Sequence, residues 1–374
     1  MNTKRWLAAG LTATMLFTLT ACGGDKKPAE GGGTEAGGDQ PAANDLSIGV
    51  LYYNYADTYI ASVRGALSAK LDEMGIKHSD QDGNNNQTTQ SEQVQNEITK
   101  GTEMLVVNVV NTSSDDAATG IVDKAKAGDL PLLFFNREVS DDVIKSYDKS
   151  AFVGTNAPEA GHMQGEMIGD YLLADYEKYD LNGDGKISYV MFKGEQGNAE
   201  AEARTQYGVE DANKKLVEAG KPELEFYDAN NSDKYLVDKN GSWSSAASQE
   251  YMTTILSEYN DQNNNMVELV ICNNDGMAEG AVTALNTAGY NNGDAAKTIP
   301  VFGVDATDAA KALIADGKMA GTIKQDADGM AQCISDLVAN VAAGKDLMDG
   351  IADKYTVDEG VNKIRIPYQI YLGE

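Results

Sequence analysis

The sequence predicts an α/β protein built as two doubly wound, Rossmann-like lobes joined by a hinge of three chain crossings. Two observations carry that expectation. From residue 46 onward, short apolar runs alternate with stretches of helical periodicity, the pattern of strands buried on both faces of parallel sheets. The folded part, roughly 330 residues, also exceeds one comfortable hydrophobic core.

The N-terminus stands apart from this alternation. Lys4 and Arg5 precede an apolar run over residues 6–19 that ends in Leu19-Thr20-Ala21-Cys22. A basic start, a short apolar core and small residues before a cleavage point describe a secretion signal over residues 1–21, too short to span a bilayer comfortably. The cysteine directly after Leu-Thr-Ala matches the lipobox of bacterial lipoproteins. Cys22 is therefore expected to carry the acyl chains that anchor the mature protein to a membrane. Residues 22–44, rich in Gly, Ala, Pro and Glu without periodicity, read as a flexible tether.

The chain has 30 Lys and Arg against 58 Asp and Glu, a formal charge of −28. Loss of Lys4 and Arg5 with the signal takes the mature chain to about −30. Such a balance excludes a nucleic-acid role and suits a solvated extracytoplasmic monomer held at the membrane by its lipid. Apart from Cys22, the cysteines are Cys272 in an apolar run and Cys333 in a helical pattern. Both read as small buried hydrophobes rather than a disulfide.

Residues 46–53 form the first expected strand, followed by a helix over 57–74 that Gly75 stops. Strands at 105–110 and 132–135 follow, each after a helical stretch. The second set runs helix 159–173, strand 186–192, helices 199–219 and 243–259, strand 267–272, helix 276–288, strand 299–304 and helix 326–343. The first lobe is assigned to 45–154 plus about 327–358, the second to 155–326 plus about 359–374. The crossings fall near Gly154-Thr155-Asn156, near Gln325-Asp326 and within 355–363.

Parallel sheets bind ligands beyond the carboxyl ends of their strands, and the residues there are polar. Asp57 and Tyr59 follow the first strand, Asn136 the third, Asn274 the strand at 267–272, and Asp305 the strand at 299–304, while Asn198, Glu200 and Arg204 follow the strand at 186–192. Singly, each reads as a helix cap or turn former. Together they offer the amides, carboxylates and guanidinium that a polyhydroxylated ligand needs, because a hydroxyl both donates and accepts. Trp243, the sole tryptophan after the signal, sits in a polar segment. It and Tyr59 are suited to cover the two faces of a pyranose ring.

Residues 180–187 read as half a calcium loop. Asp180, Asn182 and Asp184 occupy the first, third and fifth positions and Gly185 the sixth, as in an EF-hand. The twelfth position is Met191, so a closing carboxylate must come from elsewhere in the fold. The alternative is a plain Asp/Asn/Gly turn.

Five segments in order make the resemblance specific: Asp180-Leu181-Asn182-Gly183-Asp184-Gly185, Lys193-Gly194-Glu195, Ala201-Glu202-Ala203-Arg204-Thr205, Asn273-Asn274-Asp275 and Val301-Phe302-Gly303-Val304-Asp305. The chain resembles the bacterial galactose/glucose-binding proteins, the calcium-containing branch of the type I periplasmic-binding-protein family, over residues 48–367. The resemblance implies Ca²⁺ as a structural ion, with Glu268 as the distant bidentate ligand, the Lys186 carbonyl at the seventh position and Ser188 at the ninth. It implies sugar hydrogen bonds from Asp57, Asn136, Arg204, Asn274 and Asp305, with Tyr59 and Trp243 stacking. Asn198, Glu200 and Gln325 stand where the family has histidine, aspartate and asparagine, which leaves the choice among glucose, galactose and a related sugar open.

The expected role is therefore a lipid-anchored solute-binding protein that captures a monosaccharide by lobe closure. It would deliver the sugar to the permease of an ABC importer or present it to a chemoreceptor or sensor kinase. An anchored glycosidase is the competing class, since paired carboxylates suit that chemistry. Against it, the acids are mixed with amides and Arg204, and no Ser, His or Cys constellation accompanies them.

Overall fold

The computed structural model describes residues 46–373. The signal, the tether and Cys22 lie outside the described residues. Strands β1 (Ser47–Tyr52), β2 (Lys77–Asp82), β3 (Met104–Val107), β4 (Leu132–Phe135) and β5 (Ser150–Gly154) alternate with helices α1 (Thr58–Glu73), α2 (Gln87–Lys100), α3 (Asp116–Ala127) and α4 (Asp141–Lys145). The chain then crosses into helices α5 (Ala157–Ala174), α6 (Tyr176–Tyr179), α7 (Ala199–Glu218), α8 (Ser245–Glu258), α9 (Asp275–Thr287) and α10 (Asp308–Ala315). These are interleaved with β6 (Ser188–Lys193), β7 (Glu225–Phe226), β8 (Leu236–Val237), β9 (Leu269–Cys272), β10 (Val301–Asp305) and β11 (Gly321–Gln325). Helix α11 (Ala327–Ala342) and strands β12 (Thr356–Val357), β13 (Lys363–Arg365) and β14 (Tyr368–Tyr371) complete the described chain.

Two sheets result, ordered β12-β13-β5-β4-β3-β1-β2 and β14-β11-β10-β9-β6-β7, with β8 also on β6. The central strands pair in parallel, Val50 opposite Val106 and Leu133 opposite Ala151, for example. Strands β3, β4, β5 and β9 are buried at every position. Helices on both faces explain why their sequences are continuously apolar instead of alternating. Helix α11 packs Met330, Ile334, Leu337 and Val338 into the core of the first sheet, beside Ile60, Val63 and Leu67 of α1.

Three departures from the sequence-based expectation have physical causes. Strand β2, Lys-His-Ser-Asp-Gln-Asp, lies at a sheet edge and has no apolar run to announce it. Strand β13 pairs in parallel with β5 of the first sheet, so residues 363–365 belong to the first lobe and the third crossing falls between Arg365 and Tyr368, not within 355–363. Helix α8 starts at Ser245, because Ser244 caps it by accepting from the Ala247 N–H. Trp243 therefore precedes the helix.

Candidate functional site

A narrow cleft with about 370 Å³ of non-atom space, part of it open to solvent, lies between the two sheets. All ten residues named from the sequence line it: Asp57, Tyr59 and Asn136 from the first lobe, and Asn198, Glu200, Arg204, Trp243, Asn274, Asp305 and Gln325 from the second lobe and the hinge. Tyr53 and Arg137 complete the wall. Neither was named from the sequence, although Arg137 directly follows Asn136 at a strand end, which was the available signal.

Helix starts place several of these groups. Asp57, Asn198 and Asn274 are the N-caps of α1, α7 and α9, and each accepts a main-chain N–H with one oxygen: from Ile60 at 2.8 Å, Ala201 at 3.0 Å and Met277 at 2.9 Å. Of the remaining polar atoms, Asn198 Nδ2 donates to Thr112 Oγ1 and Asn274 Nδ2 to the Trp243 carbonyl, each at 3.3 Å. Asp57 also accepts from the Tyr53 hydroxyl at 2.6 Å.

Backbone geometry sets other side chains. Asn136, Trp243 and Asp305 all have positive φ, +63°, +54° and +129°. This region is unfavourable for residues other than glycine, and strained conformations concentrate at binding sites. Trp243 lies against Gly194, where an added Cβ would come within 2.1 Å of the indole. Its Nε1–H points to Glu195 Oε2 at 3.5 Å, and the Arg204 guanidinium lies 5.7 Å from its ring centre.

Arg204 sits on α7, which packs on α5 through close approaches at Gly161 and Gly165. A Cβ at either glycine would lie 2.5 Å from a main-chain oxygen of α7. The guanidinium donates to the Asn273 carbonyl (2.8 Å), Gln325 Oε1 (3.0 Å) and the Tyr368 hydroxyl (3.0 Å). Glu200 Oε1 accepts from the Glu138 N–H across the cleft at 3.3 Å, and Arg137 Nη2 meets Glu195 Oε2 at 2.5 Å. The Tyr59 hydroxyl turns to Met330 Sδ, so its ring rather than its oxygen is what the cleft can use.

Among the described residues, Arg137 Nε, Glu200 Oε2, Arg204 Nε and Gln325 Nε2 are buried without a hydrogen-bond partner, and all four belong to the cleft wall. Unpaired buried polar groups are costly, so their concentration here calls for a ligand that both donates and accepts. Burial raises the carboxyls of Asp57, Glu200 and Asp305 above the usual range. The Tyr53 hydrogen bond opposes the shift at Asp57, and Arg204 opposes it at Glu200 and Asp305. Neither histidine is in the wall: His78 pairs with Asp80, and His162 stacks on Tyr207.

The loop over residues 180–186 is closed by its own side chains. Asp180 accepts from the Asp184 and Gly185 N–H groups, Asn182 Oδ1 also accepts from Asp184, and Asp184 accepts from Lys186. Glu268, distant in sequence, joins it: its two oxygens accept the Asn182 and Ser188 N–H groups, each at 3.0 Å. Glu268 is 1% exposed, and burial pushes its carboxyl up to about 7, with Asp180 adding to the shift. No Lys or Arg is ion-paired with it among the described residues. The Ser188 hydroxyl donates to the Met266 carbonyl.

Among the described residues, no three His, Cys, Asp or Glu side chains gather into a metal cluster on their own. The loop's donor set is instead mixed, with carboxylate, amide and main-chain oxygens. That chemistry, with a buried carboxylate lacking a cationic partner, fits a hard cation such as Ca²⁺.

A family model described as a periplasmic binding protein domain matches residues 48–346. The D-galactose/methyl-galactoside binding periplasmic protein MglB of Haemophilus influenzae is 35% identical over 327 residues, covering 87% of this chain and 89% of that protein. A putative rhizopine-binding protein of Rhizobium meliloti is 28% identical over 308 residues, covering 81% and 87%. Among solved structures, an ABC transporter solute binding protein from Clostridium phytofermentans with bound β-D-glucose superposes with a TM-score of 0.67 at 19% identity, over 87% of this chain and 94% of that one. Another from Bacillus halodurans with bound myo-inositol gives 0.66 at 23% identity, over 89% and 96%. The chain belongs to the periplasmic binding protein family, with the type I two-lobe fold, and is a solute-binding protein and not an enzyme.

Proposed function

We propose that this chain captures a neutral hexose of the galactose or glucose type between its lobes and hands it to the permease of an ABC importer. The observation that carries the reading is the set of four unpartnered buried atoms in the cleft wall, three nitrogen donors and the Glu200 carboxylate oxygen. A sugar rim of hydroxyls satisfies both kinds at once, while Trp243 and Tyr59 offer apolar ring faces. The names of the relative from Haemophilus influenzae and of the glucose-bound neighbour support a hexose.

The wall comes from both lobes, so a ligand gains its full contacts only in the closed arrangement and draws the population toward it. Ca²⁺, held by Asp180, Asn182, Asp184, the Lys186 carbonyl and Glu268, would fix the loop to the second lobe, with Ser188 supporting Glu268 through its N–H. The same reading keeps Cys22 as the lipid anchor that holds the domain outside the cytoplasmic membrane. Calorimetry with D-galactose, D-glucose, D-ribose, D-xylose and myo-inositol tests the solute. Saturable binding tightest for one of the two hexoses is expected; tightest binding of a pentose or of the inositol, or of none, would overturn it.

A further inference from the structure

We propose that Tyr368 is a positioning residue for ligand binding, which holds the Arg204 guanidinium at the cleft wall and ties it to the hinge. The inference rests on the cleft being the ligand site. Tyr368 opens β14 immediately after the third crossing and is buried. Its hydroxyl accepts from Arg204 Nη2 at 3.0 Å. Arg204 can only donate, and the same hydroxyl shares a second hydrogen bond with Thr155 Oγ1, 2.7 Å away at the first crossing, in which either oxygen can donate. The same Nη2 donates to Gln325 Oε1, the last residue before the second crossing.

One guanidinium nitrogen is therefore bonded to two crossings directly and to the third through a single hydroxyl. Thr155 is itself held, its carbonyl accepting from Arg365 Nη1 at 2.6 Å. A planar fork pinned at Nη1 and twice at Nη2 cannot rotate, and that leaves the unpartnered Nε–H in a fixed direction. A ligand group accepting from Arg204 meets a donor preset by the hinge, and a change in the crossings alters that preset. Without the Tyr368 oxygen, one pin and the link to Thr155 disappear, while ring packing remains.

The test compares the wild type with Tyr368→Phe and Thr155→Val. In ligand-free protein, the Arg204 side-chain ¹H–¹⁵N signals should be resolved and slowly exchanging in the wild type, averaged in Tyr368→Phe, and intermediate in Thr155→Val, which keeps the Arg204–Tyr368 bond. Calorimetry with D-galactose and D-glucose should give about tenfold weaker binding for Tyr368→Phe, the scale expected for one hydrogen bond to a charged group. Arg204 signals unchanged in Tyr368→Phe, or an affinity within twofold of wild type, would overturn the proposal. A wild type that binds neither sugar would refute the hexose reading alone, because the ligand-free signals still decide the positioning role. Should Tyr368→Phe fail to fold, unchanged signals in Thr155→Val would overturn the link to the hinge.

Discussion

Arg137 of the first lobe and Glu195 of the second share a 2.5 Å contact, Nη2 to Oε2, while the Tyr53 ring lies 4.3 Å from the same guanidinium. The pair spans the cleft and exists only when the lobes are together. Removing Glu195 leaves a buried Arg137 charge uncompensated in the closed form, which is far more costly than in an open, hydrated one. Glu195→Ala should therefore shift the equilibrium toward opening and weaken hexose binding by about tenfold or more. Small-angle scattering at saturating sugar checks this: the variant should need more sugar than the wild type to reach the same compaction.

Gly194 and Trp243 give a second test. Trp243→Ala should weaken binding by about 1–3 kcal/mol through loss of a stacking face. Gly194→Ala should cost a similar amount with the indole still present, since the new Cβ displaces the ring it would meet at 2.1 Å. Calorimetric titration with the preferred hexose measures both, and tryptophan fluorescence follows Gly194→Ala in the single-tryptophan mature protein. Unchanged affinity in Gly194→Ala would show that the ring position is irrelevant to binding.

The calcium proposal predicts a non-additive result. A chelator should lower the wild-type melting temperature, as removal of a native-state ligand present at about a hundredfold over its Kd costs about 2.7 kcal/mol. Glu268→Gln should start lower and respond little to the same chelator. Equal chelator shifts in both proteins, or none in the wild type, would count against the site.

Asp275 gives a pH prediction. It accepts from Thr322 Oγ1 at 2.7 Å and the Thr307 N–H at 2.8 Å, and burial still pushes its carboxyl up to about 7. In the unfolded chain it titrates near the ordinary value of about 3.9. The folded state therefore binds more protons between those two values, so this group's contribution to stability is full below about pH 4 and is lost as pH rises to about 7. Asp275→Asn should flatten that part of the profile. Melting temperatures of both proteins from pH 4 to 8, at fixed calcium, compare the slopes; parallel profiles would contradict the assignment.

The alternating apolar runs made the two-lobe architecture legible, because parallel strands covered on both faces must be apolar throughout. Edge strands escaped for the opposite reason: Lys77–Asp82 has no face to bury deeply, and its register comes from pairing with β1. Most of the polar wall was legible because its groups directly follow a strand or start a helix, whereas Arg204 lies in the second turn of α7 and Gln325, the last residue of β11, came from the family resemblance alone. Arg137 and Tyr53 were not legible, since an arginine beside an asparagine and a tyrosine at the end of an apolar run look like ordinary surface and core residues. The positive φ of Trp243 also left no mark in its sequence, where no glycine or asparagine occupies the position itself.

The N-cap bonds of Asp57, Asn198 and Asn274 have an evolutionary consequence. In a descendant released from its solute, helix stability alone would continue to select for Asp, Asn, Ser or Thr at those three positions. Glu200, Arg204 and Gln325 keep buried atoms unsatisfied, a standing cost that binding offsets. Once binding ceased, concerted apolar replacement of the set would become stabilising, whereas loss of Arg204 alone would orphan the Asn273 carbonyl and Gln325 Oε1. Among paralogues of this fold, loss of solute capture should thus be written first at these three positions, long before the capping residues change.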